Sequence, residues 1–291
     1  MAGGIFLPEY KLLAVDLDDT LLDKNLRISD ETREALARAQ RSGVVVTLAT
    51  GRMFRAALPF AVELKINAPI ITYQGALVKH PVTGEVVLHR PVPLDYALDI
   101  MDRVNAYGYH MNIYLDDRLY VARHTEQSRL YQSISRVEAE EVGPLIPFLE
   151  RAGQDPTKVL VIAREEELDA LAAQLKPVYG DKLHITKSKP YFLEFSHPAA
   201  TKGHALAAVA GYYGLEPGQV IAVGDSYNDL EMIEWAGLGV AVANARPEIQ
   251  ARADVVTASN EEGGVARVVE RFILGIRGNG YPGGAGGGTT G

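Results

Sequence analysis

Two aspartate-rich segments stand out because each follows a run of apolar residues. Asp16-Leu17-Asp18-Asp19-Thr20 ends the run KLLAV, and Gly224-Asp225-Ser226-Tyr227-Asn228-Asp229 ends the run QVIAV. Apolar runs of this length read as strands buried on both faces. Ligands of open α/β sheets bind outside the carboxyl ends of such strands. A single Asp-x-Asp at a turn is usually a solvated cap, because aspartate favours turns. Its recurrence at a second strand end weakens that reading. Carboxylates gathered in one place repel one another unless a cation or a shared proton relieves them. Donors that are all oxygen, with no histidine or cysteine, suit a hard cation, Mg²⁺ first. A calcium loop starting at Asp16 is excluded. It would need Gly where Leu21 stands and Glu where Arg27 stands.

Two further segments occupy similar positions. Thr50-Gly51-Arg52 follows the run VVVTLA. A hydroxyl and backbone amides at a strand-to-helix turn can hold an anionic oxygen, although a plain helix cap has the same composition. Lys202-Gly203 opens the helical pattern TKGHALAAVAGYYG. A lone lysine is ordinarily a surface charge. At the same sheet end as the acidic cluster, it would offset carboxylate and phosphate charge. Asp225 and Asp229 lie four residues apart, which places them on one side of a helical turn.

The elements that must position these residues alternate strand and helix from residue 11 to 73, which argues for a parallel sheet with helices on its faces. Ser29 reads as the cap of a helix that starts at Asp30. Residues 76–90 read as a hairpin. From 92 to 190 hairpins mix with helices, including a turn at Asp116-Asp117, and no element is assigned between 122 and 157. The α/β alternation returns after 196. The expected fold is therefore α/β, a doubly wound, Rossmann-like parallel-sheet core interrupted by an inserted α+β domain. Its expected parts are residues 1–91 and 191–277 for the core, 92–190 for the insert, and 278–291 for a flexible glycine-rich tail.

Composition narrows the function. The 291 residues carry 29 Lys and Arg against 37 Asp and Glu, a net charge of −8, which disfavours a nucleic-acid binder. There is no cysteine, so disulfides, thiolate metal sites and cysteine nucleophiles are excluded. The start MAGGIFLPEYK has no basic n-region or long apolar run, and other apolar runs are strand-sized. The expectation is a cytoplasmic monomer or homodimer with no membrane or nucleic-acid partner. The histidines show no metal-ligand spacing. Tyr227 and Trp235 are expected to be packing residues.

Taken in order, the four segments resemble the motifs of the haloacid dehalogenase-like superfamily of phosphotransferases. The stretches VVVTLATGR, ITYQGALV, YFLEFSHPAATKGHAL and GDSYNDLEMIEWAG are similar to its Cof-type, subfamily IIB hydrolases. The resemblance implies a phosphatase of small phosphorylated metabolites, of the sugar phosphate, flavin mononucleotide or pyridoxal phosphate type, with Mg²⁺ as cofactor. It implies that Asp16 is the nucleophile, forming an aspartyl-phosphate, and that Asp18 is the general acid and base. Lys202 steadies nucleophile and phosphoryl charge, so that it and the ion keep Asp16 ionised. Thr50, Gly51, Lys202 and Asn228 bind phosphate. Asp16, Asp225, Asp229 and the backbone carbonyl of Asp18 hold the ion. The insert resembles a type IIB cap whose inner face chooses the leaving group, with His110, Asn112, Tyr114, Lys187, Ser188 and Tyr191 as candidates. Gln74 stands where relatives carry Asn, and Ala243 where they carry Gly. Asp19, often Gly in relatives, is expected to be structural. Two alternatives are weighed. A phosphomutase would use the same chemistry, but its cap is inserted between Asp16 and Thr50, where this chain has no room. A catalytically silent binding module is expected to lose Asp16, Asp18 or Lys202, and all three are present.

Overall fold

Apolar β-branched and leucine residues in runs of five must bury both faces of a strand, and the parallel sheet is where that happens. The structure, a computed structural model, describes residues 10–276. The expected tail at 278–291 lies outside the described residues. The first elements are β1 (Leu12–Asp16), α1 (Asp30–Arg41), β2 (Val45–Ala49), α2 (Phe54–Glu63), β3 (Ile70–Thr72), β4 (Leu77–Lys79) and β5 (Val86–His89). Next come α3 (Leu94–Asn105), β6 (His110–Leu115), β7 (Arg118–Val121), α4 (Glu126–Ser135), β8 (Ala139–Glu141) and α5 (Leu145–Ala152). β9 (Lys158–Ile162), α6 (Glu165–Tyr179), β10 (His184–Lys189) and β11 (Phe192–Ser196) follow. The chain then adds α7 (Lys202–Tyr212), β12 (Val220–Gly224), α8 (Leu230–Trp235), β13 (Leu238–Ala241), α9 (Pro247–Gln250), β14 (Val255–Val256) and α10 (Gly264–Val268).

One sheet has eight strands in the order β14-β13-β12-β1-β2-β3-β4-β5. The pairs from β14 to β3 are parallel, and the β3–β4–β5 edge is antiparallel. β1 runs to β2 on one side, while β12 returns to its other side, so the sheet reverses its winding between β1 and β12. That crevice is where a doubly wound sheet binds its ligand. The fold is thus the α/β arrangement expected from the alternation. Register does the rest. Val15 pairs with Val223 and Asp16 with Ala49, so three neighbouring strands end level with one another. Asp16, Thr50 and Asp225 therefore come to one edge from positions far apart in sequence.

The second sheet has six strands in the order β10-β11-β9-β6-β7-β8. Strand residues alternate faces. Met111, Ile113, Val159, Val161, Leu193 and Phe195 pack against α3, α5 and α6. The other face carries Tyr114, Leu160 and Phe192, which join Tyr131 of α4 and the main core cluster. Two features differ from the sequence expectation. β11 belongs to this second sheet and reaches Ser196, past the boundary placed at residue 190. The run YFLEFS shows that a strand is there but not which sheet it joins. α4, β8 and α5 fill the stretch where no element was assigned. Thr125 caps α4, its hydroxyl accepting from Ser128 N. Among the described residues no helix is long and apolar enough to cross a membrane.

The tip of the β6–β7 hairpin ties the two sheets together. Asp116 and Asp117 both adopt left-handed φ, which aspartate tolerates. Asp117 Oδ2 accepts from Arg55 N at 2.9 Å, which caps the first turn of α2, and Asp117 Oδ1 accepts from Tyr73 Oη at 2.9 Å. Met53, the residue before α2, offers no side-chain cap of its own. Asp117→Ala removes both bonds and is expected to lower unfolding free energy by about 1 kcal/mol, the usual worth of a helix cap. Denaturant melts check this, and an unchanged midpoint and slope would show that the tip does not hold α2.

Candidate active site

The site is organised around a buried lysine. Lys202 is the first residue of α7, and Thr201 caps that helix by accepting from His204 N. A cation at a helix N-terminus faces the positive end of the dipole, which is unfavourable by itself. Here the ammonium donates to Asp16 Oδ1 at 2.6 Å and to Asp229 Oδ1 at 2.5 Å, with 1% of the lysine side chain exposed. Asp229 Oδ2 accepts from Asp225 N at 3.1 Å and Ser226 N at 3.0 Å, which folds the loop after β12 back on itself. Gly224 makes this possible, since a β-carbon there would lie 2.5 Å from that of Asp229. Asp225 Oδ1 accepts from Thr20 Oγ1 at 2.9 Å. Asp16 Oδ2 and Asp225 Oδ2 have no donor among the described residues.

The loop after β1 is held from below. Asp19 is left-handed, with φ 59°, which suits Gly or Asp and gives this position its structural role. Its carbonyl accepts from Asn244 Nδ2 at 2.7 Å, and Asn260 Nδ2 donates to Leu22 O at 2.8 Å. Asp18 projects the other way. Arg52 grips it, with Nε 2.9 Å from Oδ2 and a second nitrogen 2.5 Å from Oδ1. The guanidinium also lies 5.2 Å from the centre of the Phe60 ring. Thr50 is fully buried, and its Oγ1 accepts from Arg52 N at 3.2 Å. Gln74, left-handed at φ 60°, accepts from Asn228 Nδ2 at 2.9 Å and so bridges the turns after β3 and β12. Gly75 lets that turn sit against α7, because a β-carbon there would lie 2.2 Å from Thr201 O.

A cavity of about 410 Å³ opens over the cluster. Its floor includes Asp16, Asp18, Gly51, Arg52, Asp225 and Asn228. Its roof comes from the second sheet and from α4, with Tyr131, Ile134, Lys158, Ser188, Lys189 and Glu194. A second cavity of about 510 Å³ adjoins it and reaches Lys187, Lys202, Tyr227 and Arg246. Of the six residues named from sequence as specificity candidates, Ser188 and Lys187 line these spaces. Asn112 and Tyr114 are fully buried, and His110 bonds Asn112 Oδ1 at 2.9 Å. Tyr227 is exposed rather than packed, with the Arg246 guanidinium 5.3 Å from its ring centre. Sequence reasoning missed Arg52 as the partner of Asp18, Gln74 as a bridge, and the roof residues Lys158 and Glu194.

Charge in the cluster does not balance. Asp16, Asp225 and Asp229 offer oxygens all within 4.8 Å of one another, and one ammonium faces them. Burial pushes the Asp16 carboxyl well above its ordinary range, and Asp229 adds to this against the pull of Lys202. Burial and Asp229 likewise push Asp225 up to about 6. Burial would pull Lys202 down, but its two carboxylates hold it above its ordinary value. Three oxygen donors with excess negative charge and two unpartnered oxygens fit a hard divalent cation.

A family model of haloacid dehalogenase-like hydrolases matches residues 13–269. The chain belongs to that family. It is 32% identical over 267 residues to the 5-amino-6-(5-phospho-D-ribitylamino)uracil phosphatase YitU of Bacillus subtilis, covering 90% of this chain and 97% of that protein. A haloacid dehalogenase-like hydrolase of Bacteroides thetaiotaomicron superposes with TM-score 0.84 at 28% identity, over 91% of this chain and 100% of that one. The subclass IIB sugar phosphatase BT4131 shares the fold, with TM-score 0.75 at 24% identity over 92% of this chain and 100% of that one. The chain is accordingly a phosphatase of the haloacid dehalogenase-like hydrolases.

Two predictions follow from the charge balance of this hydrolase. Lys202→Met leaves Asp16 and Asp229 buried without their cation and should cost about 3–5 kcal/mol near neutral pH. The loss should shrink as pH falls and Asp16 takes a proton. An equal loss at pH 5 and pH 8 would contradict the pairing. Asp225 has its pKa raised from 3.8 to about 6, so its contribution to stability is present below 3.8 and lost as pH rises through about 6. Without divalent cation, Tm should fall over that window, and less so in Asp225→Asn. A divalent cation held by this cluster needs the carboxylates ionised, so its gain in Tm should grow as pH rises through about 6. A metal-induced gain that is the same at pH 5 and pH 8 would contradict the assignment.

Proposed function

We propose that this phosphatase is Mg²⁺-dependent and hydrolyses small phosphorylated metabolites through a phosphoryl group carried on Asp16. The observation that supports this most is the buried Asp16–Lys202–Asp229 arrangement at the β1–β12 crevice, floored by Asp225 and roofed by the second sheet. Asp16, Asp225 and Asp229, with the backbone carbonyl of Asp18, would hold the ion. When bound, the ion supplies positive charge that lets an anionic carboxylate approach an anionic phosphate.

Phosphoryl transfer asks the protein mainly for positioning and charge compensation. The Asp16 carboxylate attacks phosphorus, a new Asp16 oxygen–phosphorus acyl-phosphate bond forms, and the bond to the leaving-group oxygen breaks. Asp18 delivers a proton to that oxygen. In the second half, Asp18 takes a proton from water as the water oxygen attacks phosphorus, and Asp16 leaves with the electron pair of its oxygen–phosphorus bond. Lys202 stays beside Asp16 throughout and offsets its charge. Thr50, Gly51 and Asn228 border the phosphoryl group. Before Asp18 can donate, its carboxyl must come away from Arg52 and take up a proton from solvent. The entering phosphate gives that guanidinium a competing anion, so substrate binding itself frees the acid.

We take the second sheet with its helices, residues 92 to about 196, as a cap that closes the cavity. Excluding bulk water protects the phosphorylated carboxylate until the leaving group has departed. The names of the relatives, one acting on a ribitylamino-uracil phosphate and one on sugar phosphates, support a leaving group of similar size.

The test is phosphate release from a panel of phosphorylated metabolites, with Mg²⁺ and with excess chelator. Wild type should release phosphate only with the ion. Asp16→Asn should lose on the order of 10⁴-fold or more in kcat, as loss of a nucleophile does. Turnover that persists in Asp16→Asn, or in excess chelator, would contradict the reading.

A further inference from the structure

On the phosphatase reading above, the cavity must recognise a leaving group as well as a phosphoryl group. The roof holds a charge pair that the chemistry at Asp16 does not use. Lys158 on β9 and Glu194 on β11 stand on neighbouring antiparallel strands. Lys158 Nζ lies 3.1 Å from Glu194 Oε2, and their side chains are 8% and 11% exposed. Ser188 Oγ donates to Glu194 Oε1 at 2.6 Å, and Lys158 Nζ lies 4.8 Å from the centre of the Tyr114 ring. Val159, Leu193 and Phe195 point to the opposite face, into the helices. Alternation therefore turns Lys158 and Glu194 toward the site. Both line the cavity that holds Asp16 and Asp18, and both line the adjoining cavity.

A desolvated ion pair is a poor stabiliser, since an apolar pair of similar volume is often as stable or more so. Leu160 and Phe192 already form an apolar cluster beside it. Two leucines would extend that cluster, so the use of the pair lies in what it offers the cavity. An ammonium has three hydrogens and a carboxylate about four acceptor sites, and the contacts above leave some of each unfilled.

We propose that the Lys158–Glu194 pair sets specificity, selecting leaving groups that are net neutral and carry adjacent hydroxyls. One hydroxyl oxygen accepts from Lys158 Nζ while its neighbour donates to Glu194, and hydroxyls are groups that do both. A carboxylate on the leaving group meets Glu194, and an ammonium meets Lys158, in a place that water screens poorly. A leaving group with no polar atoms strands both charges away from water.

The test compares kcat/KM for four small phosphate monoesters with Mg²⁺: glycerol 3-phosphate, 3-phosphoglycerate, phosphoethanolamine and n-propyl phosphate. Wild type should favour glycerol 3-phosphate over each of the others by roughly tenfold or more. Glu194→Gln is isosteric and removes the negative charge, so it should gain on 3-phosphoglycerate and narrow that preference. Lys158→Met/Glu194→Leu leaves neither charge orphaned and should shift preference toward n-propyl phosphate. Circular dichroism confirms that each variant is folded. A merely structural pair would not move these ratios. Wild type that hydrolyses all four alike, or variants whose ratios match wild type, would overturn the inference alone. Wild type that hydrolyses none, here and on the wider metabolite panel, would overturn the phosphatase reading and the inference with it.

Discussion

A lysine ammonium sealed from water cannot stay charged without partners, and Lys202 has two, Asp16 and Asp229. Most of the site geometry follows from satisfying that one group. Asp16 has to reach it from the end of β1, Asp229 from the loop after β12, and the lysine itself from the start of α7. The three elements are distant in sequence and meet only because β1 and β12 pair in parallel and end level. The close approaches at Gly224 and Gly75 exist because side chains there would hold these pieces apart. A cation at a helix N-terminus breaks a local rule, and such breaks gather at functional sites.

The two sheets divide the work by their construction. The parallel sheet buries both of its faces, which makes it rigid, and its strand ends give polar side chains a fixed place beside solvent. The second sheet buries one face against α3, α5 and α6 and keeps the other for the cavity. Its polar residues on that face are retained at an energetic cost, because a sheet packed only for stability would have leucine or valine there. On the proposed reading, chemistry sits on the rigid half and recognition on the half joined to it by the Asp117 tip and the connecting segments near residues 90 and 200.

Much of this was legible in the sequence. Strand-end aspartates can be read because a buried strand must be apolar until it ends, so Asp16 and Asp225 announce where β1 and β12 stop. The parallel core follows from the same alternation. What could not be read was pairing between side chains on separate elements. Nothing near Asp18 or Arg52 in the chain says that they form an ion pair, and nothing near Lys158 points to Glu194. The run YFLEFS was legible as a strand but not as a member of the second sheet, because sheet membership is a tertiary choice. The helix at 126–135 has no strong apolar stripe, and Thr125 is followed three residues on by Ser128 rather than the Glu or Gln that marks a helix start.

The proposed chemistry rests on Asp16 as the nucleophile that receives the phosphoryl group. The direct measurement is a rapid acid quench of wild type during turnover, followed by peptide mass spectrometry. One added phosphoryl group is expected on Asp16, absent from Asp16→Asn under the same conditions. A phosphoryl group found on another residue would contradict it. So would single-turnover hydrolysis in isotopically labelled water in which the label enters the Asp16 carboxyl, because attack of water on phosphorus leaves its oxygen on the released phosphate.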